Sequence, residues 1–163
     1  MDNQAELDNK KEKKSFYLHP PFLVILNFGI MIPIGIVFAR SIINIWDIIS
    51  IISGIFLTII FINTFIITHK QDQIRRRPNE VNRLITTGIY SHMRHPNFFG
   101  IILMNFAYLL FFRTIWLVPI IIIFLLLWYL EARAEEIVLV SKFGENYIKY
   151  KNNTCMFFPK LFK

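Results

Sequence analysis

The first residues in this chain with the chemistry of a binding site lie where a polar stretch enters a hydrophobic one. Residues 90–100 read YSHMRHPNFFG. Arg94 and His95 carry side-chain donors suited to a carboxylate. Pro96 favours the first turn of a helix, whose free backbone N–H groups and positive dipole end also attract an anion. This stretch therefore predicts a place for an anionic group.

A second polar run, EARAEE at residues 131–136, follows the next hydrophobic stretch. Its Glu135 and Glu136 accept hydrogen bonds from hydroxyl groups or pair with an ammonium group. In the first run, Tyr90 and Phe98 offer aromatic faces that stack on a ring or a cation. A ligand with a carboxylate, an amine, hydroxyls and an aromatic base would use all of these groups, and S-adenosylmethionine is such a ligand.

The elements that must position these residues are hydrophobic blocks. Hydrophobic residues make up 55% of the chain, with 17 phenylalanines, and about 20 apolar residues span a bilayer. Four blocks are nearly free of charge: residues 22–39, 48–68, 98–112 and 115–130. We therefore predict an all-α integral membrane protein with about four transmembrane helices. Inside these blocks, Asn27, Asn63 and Asn105 are interpreted as interhelical hydrogen-bonding residues.

The last two predicted helices form a hairpin, with a tight turn at residues 113–114. The second of them is expected to continue beyond the membrane until Gly144 ends it, and the tail from Glu145 onward is expected to lie on the inner membrane surface. In an antiparallel pair, residues equidistant from the turn lie at the same height. This geometry predicts that His92 is level with Glu135 and that Pro96 is level with Glu131. Both polar runs are then expected at one end of the bundle, where charges cost less than at the bilayer midplane.

The distribution of basic residues predicts the orientation. Residues 1–21, 69–97 and 131–163 hold 16 of the 18 lysines and arginines, and such segments stay in the cytoplasm. We expect a multi-pass protein of a bacterial inner membrane or endoplasmic reticulum, with both termini and the cofactor site at the cytosolic side. Residues 1–21 are interpreted as a cytosolic N-terminal tail, and residues 22–163 as the membrane domain.

The same residues also allow other interpretations. Arg94 can form an interfacial ion pair with Glu131 or Glu135 that only fixes the hairpin. His92, His95 and Glu135 have metal-binding side chains, but Arg94 opposes a cation there and no HExxH motif occurs, so no metal is expected. The net charge of +7 follows from topology and attraction to anionic lipid headgroups, so no nucleic acid partner is expected.

Two motifs resemble those of the isoprenylcysteine carboxyl methyltransferase family. Residues 86–100, TTGIYSHMRHPNFFG, resemble its T-[ST]-G-x-Y-x-x-x-R-H-P-x-Y-x-G pattern. Residues 133–150, RAEEIVLVSKFGENYIKY, resemble E-E-x-x-L followed by F-G-x-x-Y-x-x-Y. The resemblance implies a methyltransferase without a Rossmann domain, which holds S-adenosylmethionine at the cytosolic end of the last two helices.

The resemblance also implies roles for single residues. The positions that match the cofactor-binding motif are Tyr90, Arg94, His95, Pro96, Gly100, Glu135 and Glu136, and Phe98 stands where the family has tyrosine. His95 and Arg94 are expected near the methionyl carboxylate, and Glu135 or Glu136 near the amine or ribose. From the chemistry of methyl transfer, Arg94, Arg133 or one of Arg75–Arg77 is expected to orient an acceptor carboxylate, and Glu135 or Glu136, with Glu136 preferred, to take a proton from an acceptor amine.

Three functions remain open on the sequence. The leading expectation is carboxyl methylation of an isoprenylcysteine-like or other amphipathic lipid acid that enters from the bilayer. The second is N-methylation of phosphatidylethanolamine or a similar amine lipid. The third is a non-catalytic membrane scaffold or lipid-binding protein of the same architecture. The residues contain groups for a carboxylate and for an amine, so the sequence does not choose between the two acceptors.

Overall fold

The computed structural model describes residues 20–70 and 83–158, and all the regular elements in these ranges are helices. They are α1 (Pro20–Val37), α2 (Ile45–Lys70), α3 (Pro96–Phe112), α4 (Leu117–Phe143) and α5 (Glu145–Asn153), with a short 3-10 helix at Gly88–Ser91. The predicted all-α class is confirmed. The predicted N-terminal tail, except for Pro20 and Pro21, and Arg75–Arg77 lie outside the described residues.

Three of the described helices are long and apolar enough to cross a membrane, namely α1, α2 and α4. Helix α3 is equally apolar, but its 17 residues correspond to about 26 Å at 1.5 Å per residue. That length is slightly less than a typical hydrocarbon core of about 30 Å. The crossing of the bilayer by all four helices, and the cytosolic location of the termini, stay predictions.

The helix ends follow the signals in the sequence. Pro96 is the first residue of α3, as predicted. Proline lacks a backbone N–H, and this costs nothing in the first turn of a helix, where N–H groups have no helical partner. Helix α4 runs on to Phe143 and ends at Gly144, whose φ of 54° is a left-handed value that glycine adopts without strain. The sequence had placed the end of this helix at the same glycine.

Small and polar residues bring α1, α3 and α4 together in the core. Asn27 donates to the side-chain carbonyl of Asn105 at 2.7 Å and receives a hydrogen bond from the Trp128 indole at 3.0 Å. All three side chains are fully buried. The interpretation of Asn27 and Asn105 as interhelical hydrogen-bonding residues is confirmed, and their network fixes the helices beneath the polar end of the bundle.

The connections α1–α2 and α3–α4 meet at the opposite end of the bundle around one buried carboxylate, that of Asp47. Its Oδ1 lies 2.6 Å from Arg40 Nη2 and 3.6 Å from Arg113 Nε. Its Oδ2 accepts the backbone N–H groups of Ile43 and Asn44 at 2.9 and 3.1 Å. We call Arg40, Asp47 and Arg113 the turn cluster. It ties the two connections to each other.

Candidate functional site

Ion pairs join the residues that precede α3 to the last turns of α4. Arg94 Nε lies 2.7 Å from Glu136 Oε1, and His95 Nδ1 lies 3.3 Å from Glu135 Oε2. His95 Nε2 is 3.6 Å from Glu136 Oε1, so the imidazole lies between the two carboxylates. Four of the sequence-predicted site residues therefore form one cluster.

The predicted register of this helix pair was wrong by three residues. His92 was expected level with Glu135, but the partner of Glu135 is His95, and His92 is exposed. Helix α3 ends at Phe112 and α4 begins at Leu117, so the connection has four residues where the sequence analysis placed two. The two extra residues lie on the α4 side of the turn. A given residue before α3 is therefore level with a residue further along α4 than predicted.

Arg94 is held by more than its carboxylate partner. Its Nη1 donates to the backbone carbonyl of Lys151 at 2.9 Å and also to the carbonyl of Thr154. These carbonyls lie at the C-terminal end of α5, where helical N–H partners run out. Arg94 therefore connects Glu136 to the end of α5.

The chain that follows α5 returns to the start of α3. The backbone N–H of Arg94 donates to the Cys155 carbonyl at 2.9 Å, and that of His95 donates to the Met156 carbonyl at 3.0 Å. Sequence reasoning had placed this tail on the membrane surface without assigning a helix or a contact with the site. These hydrogen bonds join backbone atoms, so the residue types in the sequence do not predict them.

Helix α5 adds residues that the sequence analysis did not name as site residues. Lys151 Nζ lies 2.7 Å from Glu136 Oε2, and the Tyr150 hydroxyl donates to the backbone carbonyl of Tyr90 at 2.7 Å. Tyr147 is fully buried. Tyr147, Tyr150 and Lys151 are spaced by three and four residues, which places them on one face of a helix. This spacing could have predicted their shared position if a helix after Gly144 had been assumed. Arg94, His95, Glu135, Glu136 and Lys151 are hereafter the site cluster.

Aromatic rings support the histidine from the core side. The His95 ring is stacked on Phe98, with centroids 5.3 Å apart and planes 8° from parallel, and Phe98 packs on Trp128 at 4.9 Å. Phe98 is buried between these rings. It therefore orients the His95 imidazole.

Two other predicted residues lie apart from the charged groups. A side chain added at Gly100 would meet Phe61 of α2 at 3.2 Å, so this glycine lies where α3 packs on α2. Pro96 is buried at the first position of α3. The structure brings neither of them to the carboxylates of Glu135 and Glu136.

Burial and charge set the protonation states of the polar groups around the site cluster. Burial would lower the pKa of His95, but the adjacent carboxylates of Glu135 and Glu136 outweigh it and raise the pKa above its ordinary 6.5. Burial, with the charge of Glu135, raises the pKa of Tyr90 to about 12. With His95 protonated, the site cluster has three cations and two carboxylates, so it retains one positive charge for an anionic group.

Buried polar atoms of this region that have no hydrogen-bond partner among residues 20–70 and 83–158 include the Tyr147 hydroxyl, Nε2 of His95 and Oε2 of Glu136. Oε2 of Glu136 is ion-paired with Lys151, and Nε2 of His95 lies 3.6 Å from Glu136 Oε1. Burial raises the pKa of Tyr147, so its hydroxyl is a neutral donor. Buried polar groups nearly always have partners. A polar ligand or water at this place would supply them.

A cavity of about 160 Å³ lies beside the site cluster and is lined by Arg133, Glu136, Ile137, Val140 and Lys151. The four lining residues of α4 follow the spacing of one helical face. The cavity is open on one side, where the lining residues Arg133 and Ile137 are exposed. Two of the residues predicted to be catalytic, Arg133 and Glu136, thus border a space for a ligand group.

Comparison with known proteins gives one match. The family model DUF1295, described as a protein of unknown function, matches residues 2–154. No curated protein and no solved structure matches the chain.

Proposed function

Because the chain belongs to the DUF1295 family, which is related to steroid 5-alpha reductases and isoprenylcysteine methyltransferases, we propose that it is a methyltransferase. It is embedded in the membrane and uses S-adenosylmethionine. Its acceptor is the carboxyl group of an isoprenylcysteine-like or other amphipathic lipid acid, which enters from the bilayer.

One observation carries this proposal. The cationic residues at the start of α3 and the acidic residues at the end of α4 form a single buried cluster, with Arg94–Glu136 at 2.7 Å and His95–Glu135 at 3.3 Å. A small zwitterion with its carboxylate and amine close together is complementary to such an arrangement. A pair of helices fixed only by an ion pair needs one cation and one acid, not two of each.

The residues fit the polar end of S-adenosylmethionine. His95 has a raised pKa and an Nε2 atom without a hydrogen bond, so it is the donor for the methionyl carboxylate, and the fixed charge of Arg94 supports it. Glu135 is half-buried with its one described contact to His95, so it is the acceptor for the amine or ribose. When bound, the cofactor supplies an electrophilic methyl group on a sulfonium.

The chain's own residues then have to hold the acceptor and exclude water. A carboxylate acceptor attacks without losing a proton, so orientation rather than general-base catalysis is the main requirement. Arg133, on the cavity beside Glu136, orients the carboxylate by charge. Met156 and Phe157 pack against the core cluster around Phe98 and Trp128, so this side of the site stays dry, which strengthens the electrostatic contacts.

The first experiment is a titration of the purified protein in detergent with S-adenosylmethionine. A parallel titration uses reduced nicotinamide adenine dinucleotide phosphate as the alternative ligand. We expect saturable binding of S-adenosylmethionine that is lost in His95→Ala, in Glu135→Gln and in Glu136→Ala. Lys149→Ala, an exposed position on α5, is the matched control and should bind normally. Saturable binding of the dinucleotide alone would replace this proposal with a reductase.

The second experiment identifies the bond that is formed. Protein with labelled cofactor is offered N-acetyl-S-farnesylcysteine or phosphatidylethanolamine in separate reactions. A base-labile methyl ester on the acid is the expected product. A base-stable methylamine on phosphatidylethanolamine would instead indicate an N-methyltransferase. If S-adenosylmethionine does not bind at all, a non-catalytic membrane protein is the remaining conclusion.

A further inference from the structure

An exposed apolar stripe on α4 leads to the cavity beside Glu136. Leu126, Leu130 and Ile137 are 58, 52 and 61% exposed, and Arg133 lies between them on the same helical face because the spacings alternate between four and three residues. The stripe is thus apolar along the part of α4 predicted to lie in the bilayer. It becomes cationic at Arg133, where the cavity begins.

We propose that this stripe and cavity form the acceptor site, and that Lys151 is the residue that selects an anionic headgroup over an amine. The inference rests on the proposed function and deepens it, since the sequence left the acceptor's charge open. The lipid tail lies on Leu126 and Leu130. The headgroup enters the cavity between Arg133 and Lys151.

Lys151 is the cation of the site cluster that can turn toward a ligand. Its side chain is 32% exposed and borders the cavity, whereas that of Arg94 is 9% exposed. Arg94 is also fixed by Glu136 and by the carbonyls at the end of α5. When Lys151 leaves Glu136, that carboxylate keeps Arg94 at 2.7 Å and His95 at 3.6 Å, so no buried charge is left alone.

The charges that line the cavity favour an anion. Arg133 and Lys151 contribute two positive charges, and Glu136 contributes one negative charge that its Oε1 already shares with Arg94. An ammonium headgroup would meet two like charges and a carboxylate that is already paired. A carboxylate headgroup would meet two donors, and charge-assisted hydrogen bonds of this kind are the stronger ones.

The test is a binding measurement on the full chain in detergent, without S-adenosylmethionine, with two ligands that share one tail. N-acetyl-S-farnesylcysteine carries a carboxylate, and S-farnesylcysteamine carries an ammonium group. We expect the wild type to bind the acid at least about tenfold more tightly, from about 1.5–3 kcal/mol for a hydrogen bond to a charged group. Lys151→Met, which keeps the apolar stem, should lose most of this preference, and Lys151→Arg should keep it.

The matched control is Lys149→Met, an exposed lysine on the same helix, which should bind like the wild type. Thermal melting shows whether each variant is folded. Equal affinities of the two ligands in the wild type overturn the inference whatever the variants do. So does an unchanged preference in folded Lys151→Met.

Failure of the inference and failure of the proposed function give different results. If the acid preference depends on Lys151 but S-adenosylmethionine does not bind, the acceptor site stands and methyl transfer falls. If S-adenosylmethionine binds and the wild type shows no preference, methyl transfer stands and the selection by Lys151 falls.

Discussion

The two ends of the helix bundle are both built around a buried carboxylate and two cations, but they use them differently. In the turn cluster, Asp47 has both oxygens occupied, one by Arg40 and the other by two backbone N–H groups within four residues. In the site cluster, Glu136 is contacted by side chains from two separate segments, through Arg94 and Lys151. The closest partners of Asp47 are thus near it in the sequence, with Arg113 added at 3.6 Å from the α3–α4 connection, whereas both of the closest partners of Glu136 come from other segments of the chain.

Each end has a buried polar atom without a hydrogen bond among the described residues, Arg113 Nε at the turn cluster and the Tyr147 hydroxyl beside the site cluster. The difference lies in what accompanies these atoms. The site cluster contains a second carboxylate, Glu135, and a partly exposed lysine, Lys151, and it borders a pocket of about 160 Å³ with room for a ligand group. We therefore interpret the turn cluster as a structural clasp and the site cluster as a ligand site.

The largest effect that separates the two ends is expected for Arg94→Ala. The substitution removes the more buried of the two cations that lie 2.7 Å from Glu136 and releases the end of α5, so we expect a stability loss of about 3–5 kcal/mol. S-adenosylmethionine binding should be lost as well. Equilibrium unfolding and isothermal titration measure the two effects.

A conservative variant tests whether geometry or charge is needed. Arg94→Lys keeps the charge but has no planar fork to reach both Glu136 and the carbonyls at the end of α5. It should recover part of the stability and little of the binding. Full recovery of binding would mean that Arg94 acts only through its charge.

The helix ends and the meeting of the two polar runs were predictable because local signals determine them. Pro96 begins α3 and Gly144 ends α4, as the sequence indicated. Apolar blocks on either side of a short polar turn then required that residues near 94 and 136 lie at one end. The predicted register of α3 and α4 was wrong because the sequence does not show how many residues of the connection lie outside the two helices.

The contribution of α5 and of the chain after it was not predictable from the same signals. Residues 154–156 meet Arg94 and His95 through backbone atoms, and every residue type has those atoms. The turn cluster was missed for a related reason. Arg40 and Arg113 were counted as isolated charges, and the pairing with Asp47 exists only once the two connections are placed side by side.

Asp47→Asn is the corresponding test at the turn end. An amide keeps the shape but removes the charge that pairs with Arg40 and Arg113, so the melting temperature should fall. The affinity for S-adenosylmethionine should stay within about twofold of the wild type, because distant sites are usually independent. A large loss of affinity would show that the clasp also supports the site and would remove the contrast between the ends.

A smaller effect is expected midway between the ends, at the asparagine pair. Asn27→Leu leaves the Asn105 amide and the Trp128 indole without their buried partner, at a cost of about 1–3 kcal/mol. The double variant with Asn105→Leu removes both amides and should be less unstable than the sum of the single variants. Additive losses in a double-mutant cycle by chemical unfolding would contradict a direct contact.

The smallest and most specific effect is a dependence of stability on pH at the site end. The pKa of His95 in the folded protein lies above its ordinary 6.5, because the adjacent carboxylates of Glu135 and Glu136 outweigh burial. A raised pKa means that the folded state binds the proton more tightly than the unfolded state. The stabilisation is therefore complete below pH 6.5 and is lost as the pH rises through the folded pKa.

His95→Gln removes the titration and keeps a polar side chain, so the free energy of unfolding of the wild type minus that of the variant isolates the effect. This difference should decrease as the pH rises above 6.5, and S-adenosylmethionine affinity should decrease over the same range. Asp47→Asn should leave the pH dependence intact, since the turn cluster has no histidine. A difference that increases with pH would mean that burial keeps His95 neutral in the folded state, and a constant difference would mean that its pKa is not raised. Either result would remove the extra positive charge assigned to the site cluster.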